Sequence, residues 1–142
     1  MTPARSAPAR IDQAKDPMRA VRWITTLAYA GVIFYLSSRA WNGTSLFPHA
    51  DKLLHLLVYA GLGALCVWAL EGTSLRGRAQ IFPLAAIMAF LYGVTDEMHQ
   101  MLVPGREASF ADLIFDGIGA AAGARIAWSL AIRSKGRRGN EV

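Results

Sequence analysis

Long apolar stretches alternate with short polar connections along this chain. Four such stretches extend over about residues 21–38, 53–70, 81–101 and 112–132. Because a helix rises about 1.5 Å per residue, roughly 20 mostly apolar residues cross the hydrocarbon core of a membrane. The pattern therefore predicts an all-α fold, an integral membrane four-helix bundle with short connections between its helices.

The composition agrees with this prediction. Hydrophobic residues make up 54% of the 142 residues and charged residues 18%, whereas soluble domains average about 45–50% and about 25%. We expect a disordered basic cytoplasmic tail over residues 1–17, a four-helix transmembrane domain over 18–134 and a short basic cytoplasmic tail over 135–142. The single cysteine, Cys66, excludes an internal disulfide.

The basic residues predict how the helices cross the membrane. Of the 15 lysines and arginines, 11 lie before or at the start of the first stretch, between the second and third, or after the fourth. The positive-inside rule then places both termini in the cytoplasm and the first and third connections outside. We expect contacts with membrane lipids but no nucleic-acid partner, because the basic residues are divided among three segments. The four tryptophans are expected at the membrane interfaces. They are Trp23, Trp41, Trp68 and Trp128.

Polar side chains interrupt the apolar pattern where the second and fourth stretches begin and where the third ends. The purely apolar part of the third stretch, residues 81–95, covers about 23 Å, which is short of a hydrocarbon core of ~30 Å. Its helix is therefore expected to continue through residues 96–100, inside the membrane, until the Pro-Gly pair at 104–105 ends it. All these polar residues fall on the predicted outer side, so three helices supply one candidate cluster.

Helical spacing predicts which residues of this cluster share a face. Asp51 and His55 are four residues apart, so the carboxylate can orient the imidazole, and Tyr59 follows one turn further on. In the third helix Asp96, which stands three and four residues before His99 and Gln100, shares their face. Glu97 points about 100° away from Asp96 around the helix, so it is expected to face a different neighbouring helix.

The fourth helix is expected to begin after Ser109, a good N-cap residue. Asp112 and Asp116 then lie on one face, which continues through Gly119 and Gly123 and must pack inward. Two carboxylates four residues apart repel each other unless a cation or proton intervenes. The cations expected near them are Lys52 and Arg106.

Two interpretations of the cluster remain open. It is either an ion-pair and hydrogen-bond lattice that holds the helices together, or a binding or catalytic site that faces outside. Ionisable residues inside membrane spans favour a functional site by default. The candidates for catalysis are Glu97, His99, His55 and Asp112. The candidate binding residues are Asp51, Lys52, His55, Tyr59, Asp96, Glu97, His99, Gln100, Gly105, Arg106, Ser109, Asp112 and Asp116.

The same side chains include the imidazole and carboxylate ligands that zinc uses. His55, His99, Glu97 and Asp112 are the candidates. The chain has no H-E-x-x-H motif and no paired cysteines, so spacing gives a metal no specific support. We expect no metal and no cofactor.

At these residues the chain resembles the VanZ-like family. The resemblance covers about residues 21–132 and rests on Asp51-Lys52-x-x-His55, Asp96-Glu97-x-His99-Gln100, Pro104-Gly105-Arg106 and Ser109-x-x-Asp112-x-x-x-Asp116-x-x-Gly119. One departure is Asp116, where the family usually has Asn. The resemblance carries these residues over as signature positions and implies no cofactor.

The resemblance also implies a four-helix protein of the bacterial inner membrane. The family's named member is associated with low-level resistance to teicoplanin, a glycopeptide that targets cell-wall precursors. The first hypothesis is therefore a cell-envelope protein whose outward polar site meets a lipid-linked wall precursor or a glycopeptide. The alternatives are a membrane-embedded hydrolase or transferase, metal-assisted in one version, and a structural or oligomeric scaffold with no chemistry.

Overall fold

The computed structural model describes residues 17–39, 50–106 and 108–139. In these residues the chain forms four α-helices and no strand: α1 (Pro17–Ser37), α2 (Ala50–Glu71), α3 (Ile81–Gln100) and α4 (Phe110–Gly139). Each helix is long and apolar enough to cross a membrane. The prediction of an all-α fold with four helices capable of spanning a membrane is confirmed.

The ends of the helices differ slightly from the predicted boundaries. α1 begins at Pro17, and the remainder of the predicted N-terminal tail lies outside the described residues. α3 ends at Gln100, and two further turns lead to Gly105, whose φ of 82° lies in the left-handed region that favours glycine. α4 continues to Gly139, past the predicted end of the domain at residue 134.

α2 and α4 pack with their backbones in contact. A Cβ atom on Gly119 would lie 2.2 Å from the carbonyl oxygen of Leu56, and one on Gly123 would lie 1.9 Å from that of Ala60. Neither distance is compatible with a side chain, so only glycine permits this approach. The inward-facing glycines predicted in α4 are confirmed, and they fix the register of α4 against α2.

α1 lies at the edge of the bundle and is attached through side chains that bond to backbone carbonyls. On α1, the hydroxyls of Thr26 and Tyr29 donate to the carbonyls of Leu65 and Val58 on α2, at 3.3 and 3.1 Å. From α3, the Tyr92 hydroxyl donates to the Ala30 carbonyl at 2.6 Å. In a membrane such bonds hold helices together where apolar surface faces lipid on all sides.

The outward surface of the bundle is apolar and its interior is built from small residues. Ile24 on α1 and Leu57 on α2 are well exposed, as expected of side chains that face lipid, whereas Ala89 and Ala120 are fully buried. Trp128 is only 5% exposed and belongs to this interior. The predicted interfacial position is therefore wrong for Trp128, and Trp41 lies outside the described residues.

The two ends of the bundle carry different polar groups. We call the end where α1 and α3 finish and α2 and α4 begin the polar end, and the opposite end the basic end. At the basic end both oxygens of the buried Glu71 are bonded, Oε2 to Lys135 Nζ at 2.5 Å and Oε1 to the N–H of Gly77 at 3.2 Å. Arg22 donates to the Trp68 carbonyl at 3.2 Å and lies over the indole ring.

Candidate functional site

The polar end brings together side chains from α2, α3 and α4. The glycine contacts hold the first turns of α2 and α4 side by side. The short turn at Gly105 connects the end of α3 to the start of α4, so α3 ends at the same place. Buried polar residues of α3 and α4 at this end are Asp96, Glu97, Gln100, Asp112 and Asp116.

Two charged pairs connect α2 with α4. His55 Nδ1 lies 2.8 Å from Asp116 Oδ1, and Lys52 Nζ donates to Asp112 Oδ1 at 3.0 Å. Lys52 also donates to Asp51 at 3.0 Å. Lys52, one of the two cations expected near the carboxylates of α4, is thus found beside Asp112.

The predicted pairing of Asp51 with His55 is wrong. The side chain of Asp51 is 57% exposed at the start of α2, whereas that of His55 is 13% exposed and turns toward α4. The imidazole therefore meets Asp116, which the close contact between the two helices brings within reach.

The end of α3 is tied to the connection that follows it. Gln100 Nε2 donates to Asp96 Oδ2 at 3.1 Å, and Arg106 Nη2 donates to Gln100 Oε1 at 2.7 Å. Glu97 Oε2 accepts a hydrogen bond from the backbone N–H of Ser109 at 2.9 Å. Arg106 thus binds the end of α3, and its expected role beside the carboxylates of α4 falls to Lys52.

His99 lies away from this cluster. Its Nε2 is 3.0 Å from the Ser38 hydroxyl, and its ring centroid is 4.4 Å from that of Phe34, both at the end of α1. Three residues turn a helix by about 300°, so His99 points some 60° away from Asp96, which is enough for it to face a different helix. The prediction that His99 shares a face with Asp96 and Gln100 is therefore wrong for His99.

Several polar atoms at the centre of the polar end have no hydrogen-bond partner among the described residues. They are Asp96 Oδ1, Glu97 Oε1, Asp116 Oδ2 and the Tyr59 hydroxyl, and all are buried. A buried polar atom without a partner is costly, and a buried charge more so. Three of these atoms are carboxylate oxygens, which accept hydrogen bonds, and the fourth is the Tyr59 hydroxyl, a donor that lies beside Asp96.

The carboxylates outnumber their cationic partners. Among the described residues, Asp112 has Lys52 and Asp116 has His55 within ion-pair distance, but neither Asp96 nor Glu97 has a cationic partner. One ligand atom each of His55, Glu97 and Asp116 can be chosen so that all three lie within 4.8 Å of one another. The electrostatics of the site favour a cation.

Gly93 is a residue of the site that the sequence analysis missed. A Cβ atom there would lie 3.1 Å from Asp116 Oδ2 and 3.2 Å from the ring of Tyr59. Its small size lets the backbone of α3 close over the Asp116 carboxylate. Its position one turn before Asp96 was the available signal, since a glycine on the polar face of a membrane helix indicates a close approach.

These features define a polytopic membrane protein with a buried, acidic polar site at one end of its helices. A family model described as VanZ/LLP1 matches residues 6–132. The chain therefore belongs to this family, and the resemblance noted in the sequence is confirmed. No curated protein and no solved structure matches the chain.

Proposed function

We propose that the protein acts in the cell envelope of a bacterium, where its polar end binds the headgroup of a lipid-linked cell-wall precursor or a glycopeptide such as teicoplanin. It would lie in the inner membrane with both termini in the cytoplasm, so that the polar end faces outside. The single observation that carries the proposal is that three buried carboxylates of the polar end keep an oxygen with no hydrogen-bond partner among the described residues.

That observation separates a ligand site from a lattice that only holds helices together. A structural lattice gains its stability by pairing buried polar groups. At the basic end both oxygens of Glu71 are bonded, and Arg22 Nε has no hydrogen-bond partner among the described residues. In contrast, Asp96, Glu97 and Asp116 each use one oxygen for a neighbour and leave the other free. Free acceptors in a membrane are expected where a ligand completes the hydrogen bonds.

The proposed ligands carry many hydrogen-bond donors, whereas the Tyr59 hydroxyl is the one unpaired donor at the centre of the site among the described residues. The sugar hydroxyls and peptide amides of a lipid-linked wall precursor or of a glycopeptide can donate to the free carboxylate oxygens. Lys52 and Arg106 are only partly buried at the edge of the cluster, where they can meet a phosphate or a carboxylate of the ligand.

The surroundings of the polar end suit a ligand with an apolar tail. Well-exposed apolar side chains lie near the polar end. They are Leu54 and Leu57 on α2, Met101 and Leu102 after α3, and Phe110 at the start of α4. In a membrane these side chains contact acyl or polyprenyl chains, so a headgroup in the site can keep its lipid in the bilayer. Both wall precursors with a polyprenyl lipid and teicoplanin with its acyl chain meet this condition.

Binding to the reconstituted protein tests the proposal. The probes are a polyprenyl-linked disaccharide-pentapeptide and teicoplanin, each titrated against the protein in lipid nanodiscs. We expect saturable binding of one of them, weakened roughly ten- to a hundredfold by Asp96→Asn, because hydrogen bonds to charged acceptors contribute about 1.5–3 kcal/mol. His99→Asn is the matched control and should leave the affinity unchanged, since His99 faces α1. Absence of binding of both probes, or equal effects of the two variants, contradicts the proposal.

A further inference from the structure

We infer that His55, Glu97 and Asp116 together bind a divalent transition-metal ion, Zn²⁺ being the first candidate. The inference rests on the proposed function of the polar end as a ligand site and adds the cation that completes it. The three residues come from α2, α3 and α4. Metal ligands on three different helices have no fixed spacing in the sequence. The sequence therefore contains no metal-binding motif that would predict this site.

The separations suit one ion. One ligand atom of each residue lies within 4.8 Å of the other two. Bonds of about 2.0–2.2 Å from zinc to nitrogen and oxygen place the ligand atoms roughly 3–4 Å apart. Side-chain rotation alone can close that difference, because the three helices already hold the three residues around a common point.

The carboxylates are oriented as metal ligands are. Glu97 is 7% exposed and Asp116 is fully buried, and each has one free oxygen, Oε1 and Oδ2. The second oxygen of Glu97 is held by the N–H of Ser109. In the metal-free protein His55 Nδ1 lies 2.8 Å from the second oxygen of Asp116, and the imidazole would leave that oxygen for the ion. Metal ligands in proteins are commonly fixed by such additional hydrogen bonds, which set the direction of the free atom.

The charge balance points the same way. Among the described residues only His55 lies within ion-pair distance of either carboxylate. An imidazole must be uncharged to bind a metal ion, so as a ligand it neutralises neither carboxylate. Two unneutralised carboxylates are expensive inside a membrane. A divalent cation neutralises both, and a proton alone neutralises only one.

The donor set indicates the kind of metal. One imidazole and two carboxylates without a thiolate suit Zn²⁺, Mn²⁺ or Fe²⁺ better than soft metals. Three protein ligands leave at least one position open on a four-coordinate ion. That position can take a phosphate, carboxylate or carbonyl oxygen of the bound headgroup.

Zn²⁺ alone is the probe in the test. The full-length protein is purified with a chelator, dialysed against Zn²⁺, and assayed for bound zinc by mass spectrometry and for its melting temperature. We expect about one Zn²⁺ per chain and a higher melting temperature when the ion is bound, because a ligand that binds only the folded state stabilises it. Mn²⁺ is assayed in parallel as a second ion.

Glu97→Gln and His55→Gln are the variants, and Glu71→Gln is the matched control. Glu71 is buried to the same degree as Glu97 but lies at the basic end. The control should bind Zn²⁺ like the wild type, whereas the affinity of the two variants should fall by at least about tenfold. The inference is overturned if neither Zn²⁺ nor Mn²⁺ binds the wild type in stoichiometric amount, or if the variants bind as well as the control.

A second measurement separates this inference from the proposed function. The precursor and teicoplanin are titrated against the wild type with Zn²⁺ and with the chelator. Binding of a probe that the chelator does not affect, in a protein that binds no metal, leaves the proposed function standing and refutes the metal site. Stoichiometric Zn²⁺ with no binding of either probe supports the metal site and refutes the proposed function.

Discussion

Glu71 and Glu97 are two glutamates that are buried to nearly the same degree, 8% and 7% exposed, with different partners. Glu71 has both oxygens bonded, one of them to the charged Lys135. Glu97 has one oxygen bonded to the Ser109 N–H, and its other oxygen has no partner among the described residues. The charge of Glu71 is therefore compensated within the fold, and that of Glu97 is not.

This difference has a consequence for stability. Breaking a buried charged pair costs about 3–5 kcal/mol, because the remaining partner keeps an uncompensated charge. The side chain of Lys135 is 38% exposed, so water screens its charge and the cost for the Glu71–Lys135 pair should fall below this range. Removing a charge that has no partner removes a cost instead. We expect the negative charge of Glu97 to contribute nothing to folding, whereas that of Glu71 contributes substantially.

At the scale of the elements, the contact between α2 and α4 determines the site. Gly119 and Gly123 let the two backbones touch, and this register brings His55 to Asp116 and Lys52 to Asp112. Each of these two ion pairs joins α2 to α4, so both depend on the register between the two helices.

Gly123→Ala should therefore damage the bundle. Its Cβ would lie 1.9 Å from the Ala60 carbonyl oxygen, which is backbone and cannot move aside unless the helices separate. We expect a loss of stability at or above the upper end of the about 1–3 kcal/mol that overpacking costs. The measurement is the melting temperature in one detergent.

Gly31→Ala is the control for this substitution. A Cβ atom at Gly31 would meet nothing within 4 Å, and alanine favours a helix by about 0.5–1 kcal/mol relative to glycine. The melting temperature of Gly31→Ala should stay the same or rise slightly. If both variants melt alike, the close contact of α2 and α4 is not what holds the bundle.

The elements could be predicted from the sequence because the membrane imposes them. A spanning segment must satisfy its backbone internally and present apolar side chains, so length and hydropathy suffice to find four helices. Which residues meet could be predicted only in part. Lys52 was predicted beside the carboxylates of α4, but the partner of His55 and the position of His99 depend on the register and rotation of neighbouring helices, which spacing within one helix does not contain.

For the whole molecule, the distribution of basic residues supports a proposal for the orientation in the membrane. We propose that the connection between α3 and α4 lies outside and that between α2 and α3 in the cytoplasm. Ala108 and Ser74 are exposed residues of these two connections. Each can be changed to cysteine in a Cys66→Ala background, which removes the native thiol.

Labelling of intact cells with a membrane-impermeant maleimide then tests the orientation. The thiol of Ala108→Cys should react in intact cells, and that of Ser74→Cys only after the membrane is permeabilised. The reverse pattern would place the polar end in the cytoplasm, where a lipid-linked precursor on the outer leaflet cannot reach it.

The central claim is that the polar end is kept for a ligand and not for folding, and the melting temperature of Glu97→Gln tests it most directly. Wild type, Glu97→Gln and Glu71→Gln are compared in one detergent, with chelator and without ligand. The glutamine at 97 keeps the size of the side chain and an acceptor for the Ser109 N–H, removes the charge, and brings an amide donor to the unpaired carboxylate oxygens nearby. Glu97→Gln should melt at or above the wild-type temperature, whereas Glu71→Gln should melt several degrees lower. A fall for Glu97→Gln as large as that for Glu71→Gln would show that the cluster is a structural lattice and would contradict the claim.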